Sequence, residues 1–360
     1  MRKFTHKLLL FIIPIFIIAT FNFLVDSAHL FNSKGYINKI VNILKENKNV
    51  INAYNCDERL LQKGIIDSGI KVDIVVMGSS RSDQIREYFF PKKKLMNLFV
   101  SGAVIQDYFA LFNLLENNQS LPKTIIIGLD PWVLNSNVGE NRWLSIADSY
   151  QQMLNKLQID YFGNLSNVNL NNEKIKEIFK PKYFYNNIKY IFLKKMTLSS
   201  TTEKYLDTNV KLSDGSFVYD KKYREASNKE IEANAKSYIS ANNLYHISNY
   251  QCLGKNEKHA LEKLIEYLKN RNIDIVFFLP PYHPIVYSFI DNNERYKMVS
   301  ESENYFISLA EKYNIKLVGS FNPDKYQLKN GDFFDGMHPK EEIVFRIFTK
   351  ELNLTKAVSN

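Results

Sequence analysis

The chain has 360 residues, 45% hydrophobic and 14% aromatic with 22 Tyr and 25 Phe, and this much apolar side chain excludes a solvated, disordered polymer. Lys and Arg exceed Asp and Glu by 47 to 38, a formal charge of +9 that suits anionic partners such as lipid headgroups or phosphate-bearing polymers, while the absence of a basic-aromatic stripe or zinc-knuckle spacing excludes a case for nucleic acid. The two cysteines, Cys56 and Cys252, form no C-x-x-C pair, so no thiolate metal site is expected; one disulfide and two free thiols both stay open.

At the N-terminus Arg2, Lys3 and Lys7 precede a charge-free run from Leu8 to Val25. About 18 residues at ~1.5 Å each give roughly 27 Å, close to the hydrocarbon thickness of a bilayer. The run is long for a signal-peptide core and no A-x-A-like site follows it. Residues 1–25 are therefore expected to form a single-pass transmembrane anchor, bent at Pro14, with its basic tip in the cytoplasm and the rest of the chain extracytoplasmic at the cell membrane.

Residues 26–70 read as a helical connecting region, with Ile37, Ile40, Val41 and Leu44 at helical spacing, then Leu60, Leu61 and Ile65. The first part of an α/β domain follows over 71–130. It holds a buried strand at Ile74–Met77, a short helix at Asp83–Tyr88, a strand at Leu95–Val100, a crossover helix at Val104–Leu115, and a strand at Thr124–Gly128. From 131 to 254 the alternation is lost. This Asn-, Lys- and Tyr-rich stretch, with Trp132 and Trp143, reads as a cap-like insertion over the C-terminal edge of the sheet, where Arg142-Trp143 is a candidate contact for a sugar or an anion. The pattern resumes over 255–360: a helix from Glu257, a strand at Ile273–Leu279, a helix through Phe306 and Tyr313, a strand at Ile315–Phe321 and a closing helix at Glu341–Leu352. No internal repeat is present.

Two stretches carry chemistry. Ile74-Val75-Val76-Met77-Gly78-Ser79-Ser80-Arg81-Ser82 is a strand breaking into a turn at the carboxyl edge of the sheet, where open α/β folds place their sites. Asp332-Phe333-Phe334-Asp335-Gly336-Met337-His338-Pro339 sets a carboxylate and an imidazole three residues apart, the pair a serine nucleophile needs. A bland alternative stands beside each: a Ser-Gly turn, and a loop whose Asp caps neighbouring N–H groups. Ser79 competes with Ser80 as nucleophile. His283, in Pro280-Pro281-Tyr282-His283-Pro284 after the fourth strand, is a candidate pocket residue. The G-x-G-x-x-G spacing of a dinucleotide fold is missing.

Together these residues resemble the SGNH (GDSL-like) hydrolase superfamily. Ser80 matches its nucleophile, Asp335 and His338 its D-x-x-H pair, and Gly102 its second-block glycine. The resemblance covers roughly 72–130 and 257–352. It implies a three-layer, flavodoxin-like parallel sheet with a large insertion, preceded here by the transmembrane helix. It also implies an oxyanion hole built from Ser80 and Gly102 N–H groups. One position departs: the family's third block ends in an Asn whose amide helps bind the oxyanion, and Gly128-Leu129-Asp130-Pro131 has Asp there. An ionised carboxylate accepts hydrogen bonds only. Asp130 is then protonated, or does another job, or leaves the hole to the backbone; Arg81 beside it would keep it ionised.

The layout resembles membrane-anchored SGNH-like proteins of teichoic-acid D-alanylation and polysaccharide O-acetylation. That implies acyl transfer to, or ester cleavage on, a cell-envelope glycan or polyol-phosphate polymer, with a membrane-bound O-acyltransferase as partner and neither metal nor organic cofactor. The alternative is a non-catalytic SGNH-like module that binds the polymer or the acyltransferase.

Overall fold

In the computed structural model the described residues are 2–53, 55–160, 175–192, 197–240 and 244–354, with side chains from Ile12 onward. Numbered in chain order, the strands among them are β1 (Asn49–Ile51), β2 (Ile74–Met77), β3 (Leu95–Asn97), β4 (Thr124–Gly128), β5 (Ser199–Thr201), β6 (Val210–Lys211), β7 (Phe217–Val218), β8 (Asp274–Leu279) and β9 (Lys316–Gly319).

Five of them form one parallel sheet in the order β3-β2-β4-β8-β9. Strands buried on both faces read as continuous apolar runs, which is how β2, β4 and β8 stood out in the sequence. Their side chains alternate between two cores. Val75, Met77, Ile125, Ile127 and Phe277 face one core with helices Ile105–Asn117, Lys255–Lys269 and Met298–Tyr313; Ile74, Val76, Ile126, Val276 and Phe278 face the other with helix Glu341–Leu352. The sheet order reverses direction between β2 and β4, and the crevice beyond the carboxyl ends of such a pair is where open α/β sheets hold ligands. The two strands approach closely there: a Cβ on Gly78 would sit 3.2 Å from the Gly128 Cα.

The expected helix at Asp83–Tyr88 is instead a pair of single 3₁₀ turns, Ser80–Ser82 and Glu87–Phe89. Asp83, Gln84 and Arg86 are buried, and their side chains bond the insertion: Gln84 Nε2 and Arg86 Nη2 both donate to the Phe217 carbonyl, at 2.9 and 3.0 Å. The insertion contains its own structure, unforeseen in the sequence. Strands β5, β6 and β7 join β1 of the connecting region in an antiparallel sheet ordered β5-β1-β6-β7.

The connecting region is helical at Ser33–Lys45 and Glu58–Asp67, with Ile37, Ile40, Val41 and Leu44 buried as expected. At the N-terminus Arg2–Val25 is one helix containing Pro14. Among the described residues no helix is long and apolar enough to cross a membrane. The expected span begins at Leu8, and its side chains through Phe11 lie outside the described residues.

Candidate functional site

Ser80 follows β2 on the turn, with Ser79 fully buried and its Oγ accepting the Arg81 N–H at 3.1 Å. Ser79 thus caps the turn, and Ser80, half-buried, is the hydroxyl that reaches outward. Its Oγ lies 3.0 Å from His338 Nε2. On the other side of the ring Nδ1 is 3.0 and 2.9 Å from the two Asp335 oxygens. A carboxylate only accepts, so Nδ1 carries the proton and Nε2 offers its lone pair to the Ser80 hydroxyl.

Asp335 is fixed by its own loop. Its Oδ1 accepts the N–H groups of Met337 at 2.7 Å and His338 at 2.9 Å, and its Oδ2 accepts the Tyr223 hydroxyl. Burial pushes the Asp335 carboxyl up, but His338 and these donors outweigh it and hold it well below the usual carboxylate range. Burial pushes His338 down, and Asp335 more than reverses that, leaving the imidazole raised. Asp83, buried behind the site and taking the Tyr219 hydroxyl at 2.8 Å, adds to the same field; burial pushes its own pKa up to about 6.

Gly102 closes the other side. Its φ of +60° is one that L side chains rarely adopt, and a Cβ would collide with the Tyr245 hydroxyl. The connecting region holds this loop in place: Glu58 accepts the Ser101 N–H and hydroxyl at 2.5 and 2.9 Å, and Gln62 donates to the Phe99 carbonyl at 2.7 Å. The N–H groups of Ser80 and Gly102 have no acceptor among the described residues. Both residues line a cleft of about 650 Å³ with Asp335 and His338. Its remaining wall includes Trp132, Tyr223, Asn234, Ser237, Tyr238 and Tyr245 from the insertion.

Arg81, Asp130 and His283 do not line this cleft. Arg81 lies beneath it with a fully buried side chain, Nη1 2.8 Å from Asp130, Nη2 2.6 Å from the Pro280 carbonyl, and Nε 3.1 Å from the Met337 carbonyl. Its guanidinium stacks 3.9 Å above the Tyr282 ring. One cation therefore joins the ends of β2, β4 and β8 to the His338 loop. Burial raises the Asp130 carboxyl and Arg81 opposes it; engaged with the guanidinium beneath the floor, Asp130 is no donor to an oxyanion. His283, expected in the pocket, is instead the N-cap of helix Pro284–Asp291, Nδ1 accepting the Ile285 N–H at 3.1 Å, and burial pushes its pKa down to about 4.

Trp143 is buried and donates to the Glu140 carbonyl at 2.9 Å, so it offers no contact surface, whereas Arg142 is half exposed, paired with Glu140 and donating to the Tyr245 hydroxyl of the cleft at 2.9 Å. Cys56 and Cys252 are free thiols. Tyr223, Tyr238 and Tyr245 were missed by sequence reasoning; the Tyr-rich composition of the insertion was their only signal. A larger hollow of about 710 Å³ opens at the opposite edge of the sheet, among Ile74, Thr124, Asp274 and Lys316, with no Ser or His in its lining. No family model matches the sequence, and no curated protein matches it.

Proposed function

We propose that the protein is a membrane-anchored, extracytoplasmic serine acyltransferase or esterase of the SGNH type. It acts on O-acyl groups, acetyl or D-alanyl, of a cell-envelope polysaccharide or teichoic-acid-like polymer. The observation that carries this reading is the chain Ser80–His338–Asp335, with contacts of 3.0 and 2.9 Å, at a cleft also lined by Ser80 and Gly102, whose backbone N–H groups have no acceptor among the described residues.

In this mechanism Ser80 Oγ attacks the ester carbonyl carbon as His338 Nε2 takes its proton. Asp335 holds the imidazolium. The oxyanion receives the Ser80 and Gly102 N–H groups, each such donor typically worth ~3 kcal/mol of barrier. The tetrahedral adduct collapses with His338 returning the proton to the leaving alkoxide, and an acyl-Ser80 ester remains. Water or an acceptor hydroxyl, deprotonated by His338, then attacks that ester and releases Ser80. The aromatic and hydroxyl-bearing wall from the insertion fits a polyol or glycan acceptor, and a membrane-bound O-acyltransferase is the partner class that would supply or share the acyl group.

The test is fluorophosphonate labelling of the full chain with mapping of the modified residue. Label on Ser80, lost in Ser80→Ala and in His338→Ala, is expected. A folded, unlabelled protein would overturn the catalytic reading. The second reading, a non-catalytic polymer- or partner-binding module, draws on the carboxylate at Asp130 where an amide donor would complete the oxyanion hole. It predicts polymer binding that Ser80→Ala leaves unchanged and no labelling.

A further inference from the structure

The insertion also carries a helix that has no part in the cleft. Helix Pro181–Phe192 packs against the C-terminal part of helix Arg2–Val25, Phe184 edge-on to Phe21 with ring centroids 5.0 Å apart. The joint is polar and tight. Asn22 and Asn187, both fully buried, bond side chain to side chain at 2.9 Å; Asn187 Oδ1 accepts the Ser27 N–H at 3.0 Å, and Asn22 donates to the Ile178 carbonyl at 2.6 Å. The Tyr183 hydroxyl donates to Asp26 at 2.9 Å, and Asp26 in turn takes the N–H groups of Leu30, Phe31 and Asn32. The first helix is thus bonded to the insertion helix through buried polar groups.

At about 100° per residue, Tyr183 and Asn187 share one flank of the insertion helix, and Phe184, Tyr185, Ile188, Ile191 and Phe192 share the next. The first flank makes the joint. On the second, Phe184 rests on Phe21 and Ile188 is half-buried, while Tyr185, Ile191 and Phe192 are left open, Phe192 81% and Tyr185 66% exposed. The first helix beside it is also exposed and apolar, with Phe16, Ile17, Phe23 and Leu24 all more than half exposed. Lys182 and Lys189 stand along a third flank, and residues 175–192 hold Lys176, Lys180, Lys182 and Lys189 against the single acid Glu177. Exposed aromatic and aliphatic residues bordered by lysines are the chemistry of a helix lying in the headgroup-acyl boundary of an anionic bilayer.

We infer that residues 175–192 form a second membrane contact, in which helix Pro181–Phe192 lies at the interface and seats the domain on an anionic lipid surface beside the first helix. This rests on the anchor part of the reading above. The occupant is lipid and not a protein groove, because the flank belongs to a helix packed on the exposed, apolar first helix and its bordering charge is basic.

The full chain, carrying Cys56→Ser and Cys252→Ser and a polarity-sensitive thiol label at Phe16→Cys or Phe192→Cys, is placed in nanodiscs of phosphatidylcholine and phosphatidylglycerol containing nitroxide lipids. The expected result is at least twofold quenching at position 16 by a mid-acyl nitroxide and at position 192 by a nitroxide near the headgroup. Quenching at 16 with none at 192 overturns this inference and leaves the anchor standing; no quenching at either overturns both. A partner protein as the occupant predicts no quenching at 192 in these lipid-only discs. In the unsubstituted chain, a photoactivatable phosphatidylglycerol should cross-link within 175–192, and cross-links confined to the first helix would overturn the inference independently of how the cysteine variants fold.

Discussion

Arg81 and Asp130 meet at 2.8 Å beneath the cleft floor with both side chains fully shielded from water, so the residue beside the candidate nucleophile is bound to the one that replaces the expected amide. The pair spans the carboxyl ends of β2 and β4, and the same guanidinium holds the Met337 carbonyl in the loop that presents His338. Asp130 thereby acts on the site through Arg81.

Asp130→Ala leaves a buried guanidinium without its counter-charge, a change that costs on the order of 3–5 kcal/mol when a buried pair loses one partner. Denaturant unfolding is expected to show that loss, and Ser80 labelling to slow as the His338 loop loosens. Asp130→Asn, which keeps an oxygen acceptor for Arg81, is expected to retain more of both. Equal stability in wild type and Asp130→Ala would contradict this role.

Tyr223 reaches from the insertion to donate to Asp335. In Tyr223→Phe the carboxylate keeps its Met337, His338 and imidazole partners, so labelling is expected to fall several-fold and not to vanish. With one donor gone, Asp335 binds the imidazolium proton more strongly and the His338 pKa, already raised, climbs further. The acid limb of the labelling-rate profile is expected to move to higher pH. An unshifted limb would leave Tyr223 a packing residue only.

His283 gives a pH signature in stability. Its pKa falls from 6.5 unfolded to about 4 folded. The unfolded chain therefore binds the proton first as pH drops below 6.5, and this residue's share of stability declines from there until about pH 4, where the loss is complete. A shift of this size corresponds to roughly 3 kcal/mol. His283→Asn keeps an N-cap acceptor for Ile285 and removes the titration. Its unfolding free energy between pH 7 and 4 is expected to fall less steeply than the wild type's, and parallel curves would refute the assignment.

Gly102→Ala forces a side chain into φ +60° and against the Tyr245 hydroxyl. Strain of this kind costs on the order of 1–3 kcal/mol. Because the displaced backbone includes the N–H that the proposed mechanism gives to the oxyanion, that mechanism predicts a larger drop in turnover of a small ester than in thermal stability, read as kcat against Tm.

The parallel sheet was legible because β2, β4 and β8 are buried on both faces and each is an unbroken apolar run ended by Gly or Pro. The set Ser80, Asp335 and His338 was legible from the serine at the end of β2, the D-x-x-H spacing and the resemblance that joins them, and the structure brings all three within hydrogen-bond reach. What stayed hidden depended on distant partners. The two turns after Ser80 replace a helix because Gln84 and Arg86 bond the Phe217 carbonyl, which lies far along the chain. Strands of two or three residues, such as β6 and β7, are too short to show a period. His283 was placed correctly near the end of β8, but nothing local indicates that its ring turns back to cap its own helix.

The antiparallel sheet sets an order of events in folding. Val50 of β1 pairs with Ser200 of β5 and Lys211 of β6, so a strand made early waits for partners made much later. At roughly 5–20 residues per second of synthesis that wait is on the order of ten seconds or more. During it β1 has both edges bare, and the cleft wall bearing Tyr223 does not yet exist. Nor can the insertion be excised as a detachable lid, since its removal would strip β1 of both neighbours and unseat the connecting region whose Glu58 and Gln62 hold the Gly102 loop.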